Sequence, residues 1–356
     1  MNFAFLTGKI YWSRRIVFIA VRFLGAEFLF DGDLELIKDK RIAVIGYGNQ
    51  GRAQATILRD NGLDVIVGNI RDRYWDQAVR DGFEVYDIRE ATRRADLALL
   101  LVPDEVAPDV YYGMMEGEIR GKDHFILDFA SGYNITYGLI KPAANTDVIM
   151  VAPRMFAWGI LDLHKQNKGY PVLIGVAQDS SGKAWEYAKA LAKGIGAIGR
   201  PGGVGLKSSF EEETLLDLLS EHTHIPLLIA AMMAYFEIAT EEYGVSPEAA
   251  ILELYASEEL AEGAKAMAEE GLIEQLKYHS RTSQYGQLTR IQRYYQTIKE
   301  IVRKEAAEIW NGEFAREFSE EYRSGLIVLN RLLNTHKRGK LVEAERRLYK
   351  ALGRIK

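Results

Sequence analysis

Short apolar runs, separated by polar segments of helical character, make up residues 34–205. A run of four to eight apolar residues bounded by turn residues is typical of a buried strand, and residues 95–103 are almost continuously apolar, as in a central parallel strand. Such runs lie at residues 42–45, 64–68, 83–86, 95–103, 124–129 and 147–152, and residues 172–176 and 194–205 close the region. The pattern predicts an α/β fold with a mainly parallel sheet.

Residues 210–356 carry long helical patterns and almost no strand signal. Residues 215–235 are apolar on nearly every side, which predicts a buried helix. Amphipathic helices are predicted at residues 252–269, 294–310 and 342–352. We therefore predict an N-terminal extension over residues 1–33, an α/β domain over 34–205 and an all-helical domain over 206–356.

The first predicted strand runs directly into a Gly-x-Gly-x-x-Gly motif, and an amphipathic helix follows it. This order is that of a Rossmann-type dinucleotide loop, in which the glycines allow a tight turn, close approach of a pyrophosphate and close helix packing. The alternative is a glycine-rich turn in some other parallel sheet. The residues expected to hold the dinucleotide are Gly46, Tyr47, Gly48, Asn49, Gln50 and Gly51.

The loop after the second strand should meet the adenine ribose of that dinucleotide. It contains Arg71 and Arg73 with Asp72 between them. An acidic residue at this point favours NAD, whereas arginines favour the 2′-phosphate of NADP. The pattern favours NADP(H) and leaves NAD(H) open; the alternative is a solvated loop.

Loops at the carboxyl ends of later strands are the other places where a Rossmann-type sheet binds its ligands. Pro103 and Asp104 end the central apolar run, and Gly132 lies in the loop after residues 124–129. We expect these three residues to contact the cofactor.

Two carboxylates in the apolar helix, Asp217 and Glu221, are four residues apart and therefore share one helical face. Among leucines, unpaired carboxylates would be costly, and Mg²⁺ would relieve that cost because it prefers hard oxygen ligands. The alternative is a solvated stripe, or pairing with arginines. His222 and His224 lie close by and are interpreted mainly as structural, hydrogen-bonded groups.

A second acidic group and a dense polar segment follow in the helical region. The acidic residues are Glu253, Glu258, Glu259 and Glu262. They fit either a solvated face or, through the four-residue spacing of Glu258 and Glu262, a further ligand pair. Residues 280–286, beginning with Ser280, are interpreted as a loop-like functional segment or as a helix cap and linker.

Composition narrows the class of protein. The 356-residue chain has a net charge of −5 and no cysteine, with a pI near 5.8. This argues against a nucleic-acid surface and excludes disulfides and cysteine metal sites, and it is compatible with a cytoplasmic location. Arg22 and Glu27 interrupt the longest N-terminal apolar stretch, so we expect no membrane span. Residues 1–31 are interpreted as an extension rather than a secretion signal.

Several of these motifs together resemble the ketol-acid reductoisomerase family, from about residue 34 to near the C terminus. The resemblance rests on the glycine motif in the form Gly-Tyr-Gly-Asn-Gln-Gly and on Leu-Val-Pro-Asp-Glu at 101–105. It also rests on 147–153, on Phe-x-Glu-Glu-Thr-x-x-Asp-Leu-x-x-Glu at 210–221, on Ser-x-Thr-x-x-Tyr-Gly at 280–286 and on Gly-x-Phe-Ala-Arg-Glu at 312–317.

The resemblance implies a Rossmann domain followed by an all-helical knotted domain, in a homodimer or higher homo-oligomer. It implies Mg²⁺-dependent alkyl migration in a 2-hydroxy-2-alkyl-3-keto acid and NADPH reduction to a 2,3-dihydroxy acid, in branched-chain amino acid synthesis. Asp217 matches the aspartate that bridges two metals, Glu221 the glutamate on the first metal, and Ser280 the serine that holds the substrate carboxylate.

The sequence departs from the family pattern at several positions. Ser131 stands where the family has a histidine, and Arg154 where it has a lysine, followed by bulky residues that would narrow or reshape the pocket. Arginine keeps the charge but does not readily donate a proton.

The second-metal glutamates also match incompletely. Counting from either side leaves a single glutamate, Glu259 or Glu253, unless Glu258 or Glu262 substitutes. Two alternatives therefore stay open: a divergent paralogue that only reduces a 2-keto or 2-hydroxy acid substrate, and a catalytically silent nucleotide-binding homologue that acts as a partner subunit.

Overall fold

The computed structural model describes residues 8–12, 15–19 and 25–355, the first two stretches as backbone only. Those two stretches are strands β1 (Gly8–Trp12) and β2 (Arg15–Ile19), paired antiparallel. The rest of the predicted extension over residues 1–24 lies outside the described residues. The chain divides into two compact units, one containing residues up to 132 and 140–210, the other containing residues 133–139 and the chain from 211 onwards.

The first unit is built on a nine-stranded sheet. Its strands are β3 (Phe28–Leu29), β4 (Ile42–Ile45), β5 (Val65–Gly68), β6 (Glu84–Tyr86), β7 (Leu97–Leu100), β8 (Phe125–Phe129), β9 (Thr146–Pro153), β10 (Pro171–Gln178) and β11 (Val204–Lys207). Their spatial order is β3-β11-β10-β9-β8-β7-β4-β5-β6. The six strands from β9 to β6 are mutually parallel, whereas β10 pairs antiparallel with β9, and β3 antiparallel with β11.

Helices cover the sheet of the first unit. They are α1 (Glu35–Lys38), α2 (Asn49–Asp60), α3 (Arg73–Arg80), α4 (Ile88–Arg94), α5 (Ala107–Val110), α6 (Glu116–Arg120), α8 (Ala157–Lys165) and α9 (Ala184–Gly194), with a π-helical turn at Tyr111–Met115. Every residue of β4 and β7 is buried, as expected for central parallel strands covered on both faces. The strand order from β6 to β9 is that of a Rossmann fold, so the predicted α/β architecture is confirmed.

The second unit is helical throughout its described residues. It comprises α7 (Tyr133–Thr136), α10 (Phe210–Leu219, from Glu211), α11 (Ile225–Glu237), α12 (Pro247–Ile251), α13 (Glu259–Glu270), α14 (Arg281–Trp310), α15 (Glu313–Arg323), α16 (Ile327–His336) and α17 (Lys340–Ala351). Shorter turns lie at Ser220–His224, Ile238–Glu242, Leu252–Ala256 and Glu274–Tyr278. The predicted all-helical domain is therefore confirmed.

The prediction of one continuous helix over residues 252–269 is wrong. Glu258 adopts a left-handed backbone, with φ of 73°, between the π-turn and α13. A non-glycine residue in this region interrupts a right-handed helix, since its Cβ crowds the following carbonyl oxygen. The predicted helix is therefore divided into the turn Leu252–Ala256 and α13.

The prediction of a buried helix over residues 215–235 is also wrong for the isolated chain. Within α11, Phe236 is buried, whereas Ile225, Leu228, Ile229 and Met233 are exposed. The continuous helical stretch Phe210–Glu242 is long and apolar enough to cross a membrane by length and composition alone, which is weak evidence. The apolarity that suggested a core position thus lies at the surface of this unit.

Candidate functional site

The glycine loop turns sharply between β4 and α2. Gly46 has φ of 94°, and a Cβ on Gly51 would lie 1.9 Å from the Gly46 carbonyl oxygen. A Cβ on Gly48 would meet nothing within 4 Å. Two glycines are therefore required by the turn itself, and the third leaves open space beside the N-terminus of α2, where a pyrophosphate binds in this fold.

Neighbouring residues of the loop have different structural roles. Tyr47 is buried, and its hydroxyl donates to Asp81 at 3.0 Å. Burial and that hydrogen bond raise the pKa of the Tyr47 phenol above its ordinary range. Only the Tyr47 backbone can therefore meet a cofactor, whereas Asn49 is exposed and Gln50 half-buried.

A cavity of about 630 Å³ opens where β5 and β6 end, in the position of the adenosine end of a dinucleotide. Asn69, Ile70, Arg71, Trp75, Val85, Tyr86, Asp87, Ile88, Arg89, Gly113 and Met114 line it. The Arg71 guanidinium lies 4.6 Å from the centre of the Trp75 ring. The Arg89 Nη2 donates to the Gly113 carbonyl oxygen at 2.7 Å.

The carboxylates near this cavity are committed to helix ends. The Asp72 Oδ1 accepts hydrogen bonds from the backbone N–H groups of Tyr74 and Trp75 at the start of α3. Asp87 caps α4 by accepting from the Glu90 N–H at 3.0 Å. Both side chains thereby satisfy N–H groups that would otherwise lack partners.

The two predicted arginines differ in position. Arg71 lines the cavity, whereas Arg73 is absent from its lining and stacks on Tyr74, with 4.7 Å from its guanidinium carbon to the ring centre. Arg89, which sequence reasoning missed, takes the second cationic place. The signal for it was available, because the residue follows the third parallel strand at the ligand-binding edge.

Four other predicted residues follow β7, β8 and β9 at the same edge of the sheet. Asp104 and Arg154 are half-buried, Gly132 is buried and Pro103 is exposed. Because β7, β8 and β9 are adjacent and parallel, their following loops open on one edge. Ser131, in place of the family's histidine, lies in the middle loop of the three.

Asp128 is a fully buried carboxyl group near the end of β8 that sequence reasoning missed. Its Oδ1 accepts a hydrogen bond from the Val151 N–H at 3.0 Å, and its Oδ2 makes no hydrogen bond within the described part of the chain. Burial raises the pKa of Asp128 well above its ordinary range. No signal in the sequence pointed to Asp128, because the apolar pattern around it predicts a strand whether or not one position is acidic.

Asp217 and Glu221 lie in the second unit, one near the end of α10 and the other in the π-turn that follows. Asp217 is half-buried and Glu221 exposed, so the burial cost expected from the surrounding leucines does not apply. Their helical spacing keeps both carboxylates on one face. π-turns inside α-helices often mark functional positions.

The structure places His222 as a structural group, whereas His224 is exposed. The His222 ring packs edge-on against Phe314, with 4.2 Å between ring centres, and its Nδ1 lies 3.8 Å from the Glu305 carboxylate. Glu213 and Thr214 in the same helix are buried, and the Thr214 hydroxyl bonds to that of Thr136 at 3.0 Å. These contacts fix the helix that carries Asp217 and Glu221.

The second acidic group is divided. Glu259 and Glu262 line a cavity of about 670 Å³ together with Glu269 and His279, and Glu253 is absent from that lining. Across residues 25–355, no group of three or more His, Asp or Glu side chains is gathered closely enough to hold a metal ion.

Glu258 and the nearby Tyr255 both have other partners. The Tyr255 hydroxyl donates to Glu345 at 2.6 Å, and Glu258 accepts from Arg354 at 2.6 Å. Glu258, considered as a substitute ligand, is therefore held in an ion pair.

Ser280 is the N-cap of α14, where its hydroxyl accepts from the Ser283 N–H at 3.2 Å. Residues 281–286 form the first turns of that helix rather than a loop, so the cap interpretation describes this segment. Ser280 is exposed, which leaves its hydroxyl accessible as well as capping.

Comparison with protein families decides the relationship. A model of the acetohydroxy acid isomeroreductase NADPH-binding domain matches residues 36–202, and a model of the ketol-acid reductoisomerase C-terminal domain matches residues 210–353. The chain belongs to the ketol-acid reductoisomerase family. It is therefore an oxidoreductase of the family that works in branched-chain amino acid synthesis.

Individual relatives span nearly the whole family region. The chain is 58% identical over 326 residues to a Saccharolobus solfataricus protein named "Putative ketol-acid reductoisomerase 3", covering 92% of this chain and 98% of that protein. It is 40% identical to the ketol-acid reductoisomerase (NADP(+)) of Pyrobaculum arsenaticum, covering 85% of this chain and 91% of that protein. An NADH-preferring ketol-acid reductoisomerase from an uncultured archaeon has a similar structure, with a TM-score of 0.84, 31% identity and coverage of 91% and 98%.

The residues present fit the two groups that a ketol-acid reductoisomerase uses. The space beside Gly48, the uncapped start of α2 and the arginine-lined cavity suit a dinucleotide. Asp217 and Glu221 could supply two hard oxygen ligands, and Mg²⁺ commonly keeps several waters beside one or two carboxylates. Within the described residues, these two carboxylates would hold a metal ion only together with water or ligands from elsewhere.

Proposed function

We propose that this ketol-acid reductoisomerase isomerises and reduces 2-hydroxy-2-alkyl-3-keto acids of the acetolactate class. The alkyl group moves from C2 to C3, so that C2 becomes a ketone and C3 an alcohol, and reduction at C2 then gives a 2,3-dihydroxy acid. The observation that carries the proposal is the Asp217–Glu221 pair on one face of a helix, in a chain that also keeps the complete glycine loop.

Each half of the reaction has candidate residues. Mg²⁺ bound at Asp217 and Glu221 would supply Lewis-acid polarisation of the substrate oxygens, and NADPH held by the glycine loop would supply the hydride. Arg154 carries a positive charge at the carboxyl edge of the sheet and would hold a substrate carboxylate or oxyanion there. Ser280 would hold the substrate carboxylate through its exposed hydroxyl.

Arg71 and Arg89 support NADPH as the preferred cofactor. Both line the cavity at the adenosine end, where a 2′-phosphate would accept charge-assisted hydrogen bonds. The two nearby carboxylates that could instead bind a ribose 2′-hydroxyl are engaged as helix caps. Preference for NADH, as in the NADH-preferring relative from an uncultured archaeon, is the competing outcome.

The incomplete second acidic group supports one alternative, a paralogue that only reduces a keto acid. Hydride transfer to a ketone needs less charge stabilisation than alkyl migration does. One metal ion at Asp217 and Glu221 would then suffice for the reduction, without a second metal ion at Glu253 or Glu259. A silent homologue acting as a partner subunit is the remaining alternative.

A second copy of this chain is the proposed partner, as a homodimer or higher homo-oligomer. The helical unit exposes large apolar side chains along α11, α14 and α16, including Ile229, Ile291, Tyr294, Leu329 and Leu332. Apolar patches of this extent are commonly covered by an interface. We further propose a cytoplasmic location and small-molecule keto acids, rather than nucleic acid or membranes, as binding partners.

The deciding experiment is NADPH oxidation with acetolactate, with and without Mg²⁺, and with NADH alongside. Mg²⁺-dependent turnover is the expected result. Turnover of 3-hydroxy-3-methyl-2-ketobutyrate alone would replace the proposal by the reduction-only alternative. Cofactor binding without turnover of either substrate would favour the silent homologue.

A further inference from the structure

Two aromatic side chains stand exposed just beyond the end of β9. Phe156 is 75% exposed and Trp158 71% exposed, and their rings stack with 6.4 Å between centres and 16° between planes. Exposed apolar surface of this kind commonly marks a contact site. The pair forms a flat apolar surface that stands clear of the core.

The position of this surface is tied to the glycine loop. The Gln50 side-chain amide, in the first turn of α2, donates to the Met155 carbonyl oxygen at 3.2 Å. At the other ends of the two helices, the His164 Nε2 lies 3.1 Å from the Asp60 carboxylate. Helices α2 and α8 therefore lie side by side in the same direction, with both N-termini at the carboxyl edge of the sheet.

This edge is where the reacting end of a bound dinucleotide would lie. The arginine-lined cavity follows β5 and β6, on one side of β4, and the aromatic pair follows β9, on the other side. A dinucleotide crossing the edge from its adenosine end would therefore extend toward the strands that include β9. The pair therefore lies on the side of the edge where the reacting end of a dinucleotide would lie, away from the adenosine cavity.

The Met155 side chain packs against the first turn of α8, next to Phe156 and Trp158. A Cβ on Gly159 would lie 3.1 Å from the Met155 sulfur, so the methionine side chain packs closely over the first turn of the helix. Ile160 in the next position is fully buried. The backbone that carries Phe156 and Trp158 is therefore anchored from below.

We propose that Phe156 and Trp158 form the wall against which the apolar substituent of the substrate packs, so that this protein selects keto acids with a bulky branched or aromatic substituent. The inference rests on the proposed keto-acid reduction and specifies its substrate class. A substrate methyl group would cover little of the two ring faces, because aromatic side chains bury roughly 150–250 Å² each when fully covered. A benzyl or isobutyl group covers much more, and pocket contacts of this kind discriminate by about 10- to 200-fold.

The test is a substrate series in which only the apolar group changes. NADPH oxidation would be measured with 3-hydroxy-3-alkyl-2-keto acids that carry methyl, isobutyl or benzyl groups, for the unaltered protein and for Phe156→Ala and Trp158→Ala. Phe30→Ala is the matched control, because Phe28 and Phe30 form a second exposed stacked pair, with 6.3 Å between ring centres, on the far edge of the sheet.

The expected kcat/KM is at least about tenfold higher for the benzyl or isobutyl acid than for the methyl acid. Phe156→Ala and Trp158→Ala should reduce this ratio to below about threefold, mainly through KM, and Phe30→Ala should leave it unchanged. Preference for the methyl acid in the unaltered protein, or an unchanged ratio in both variants, would overturn the inference while leaving the proposed reduction intact.

A binding measurement separates failure of the inference from failure of the proposed function. Tryptophan fluorescence would be titrated with the same keto acids in the presence of NADP⁺, using Trp158→Phe to isolate the Trp158 signal. Tighter binding of the benzyl acid, with a fluorescence change that Trp158→Phe abolishes, supports the inference even if no acid is turned over. A Trp158 signal that none of the acids changes would overturn it.

Discussion

The side chain of Gln50 donates a hydrogen bond to the backbone carbonyl oxygen of Met155, across 105 positions of sequence. Gln50 belongs to the glycine loop and Met155 to the segment that follows β9, so one hydrogen bond joins two segments at the carboxyl edge of the sheet. Loss of the Gln50 side chain would therefore remove a contact of both segments. This coupling makes the glycine loop the natural place to begin testing the site.

Gly48 and Gly51 should respond differently to alanine. In Gly51→Ala the new Cβ would lie 1.9 Å from the Gly46 carbonyl oxygen, so the turn must shift, at a cost of about 1–3 kcal/mol in unfolding free energy. In Gly48→Ala the Cβ meets open space, so stability should hold and NADPH affinity should fall by about tenfold or more. Thermal unfolding and calorimetric titration with NADPH measure the two effects. Equal destabilisation by both substitutions would contradict this account of the loop.

The cavity arginines should control cofactor choice. Arg71→Ala and Arg89→Ala should each weaken 2′,5′-ADP binding by roughly 10- to 100-fold, because a charged hydrogen bond contributes about 1.5–3 kcal/mol. Binding of 5′-AMP, which lacks the 2′-phosphate, should change little. Arg73→Ala is the control, since Arg73 stacks on Tyr74 outside the cavity. Loss of 2′,5′-ADP affinity in Arg73→Ala alone would reverse the assignment.

The free energy of unfolding should fall as pH rises, because of the buried Asp128 carboxyl group. Its folded-state pKa is raised by burial, so the folded state holds a proton that the unfolded state has released, and stability falls from the unfolded pKa up to the folded one. Asp128→Asn stays neutral and keeps an oxygen for the Val151 N–H. The variant should therefore gain stability relative to the unaltered protein as pH increases from about 4 towards 8. Denaturant unfolding at several pH values gives the two slopes.

Asp147 offers the opposite case and serves as the control. Although burial alone raises its pKa, hydrogen bonds from Ser181, His124 and Ser180 outweigh burial and hold the pKa below its ordinary value. Its contribution is present above the unfolded pKa and is lost as pH falls, so Asp147→Asn should destabilise the protein at pH 7. The same pH response in both variants would refute the reasoning.

Removing either carboxylate of the helical pair should abolish Mg²⁺-dependent activity. Asp217→Asn or Glu221→Gln should weaken Mg²⁺ binding by at least about 100-fold, with NADPH binding unchanged, because the two groups lie in separate units. Glu253→Gln and Glu259→Gln, measured in the same calorimetric titration, show which of the two belongs to the second site. Full Mg²⁺ affinity in Asp217→Asn would exclude this position as a ligand.

The central strands and the glycine loop could be predicted because local signals agreed. Residues 42–45 and 95–103 are apolar without interruption, and the glycines fall at the positions that the turn geometry requires. The break at Glu258 could not be predicted, since glutamate carries no preference for a left-handed backbone.

Exposure was the other quantity that sequence misjudged. The apolar pattern of residues 215–235 indicates that this helix is buried against another surface. The pattern does not show whether that surface belongs to the same chain or to another molecule. Arg89 and Asp128 were missed for a related reason: each lies inside an ordinary element, and only the folded sheet places it beside a cavity or within a core.

The two capping aspartates also limit how this protein can be redesigned. Converting an NADP-binding loop to NADH use calls for a carboxylate facing the ribose, and Asp72 and Asp87 already lie nearby. Because each holds the first turn of a helix, redirecting either would release its cap and cost about 1 kcal/mol of helix stability. An engineer would do better to place a new acid at Arg71, on the wall of the cavity, and leave both aspartates in position.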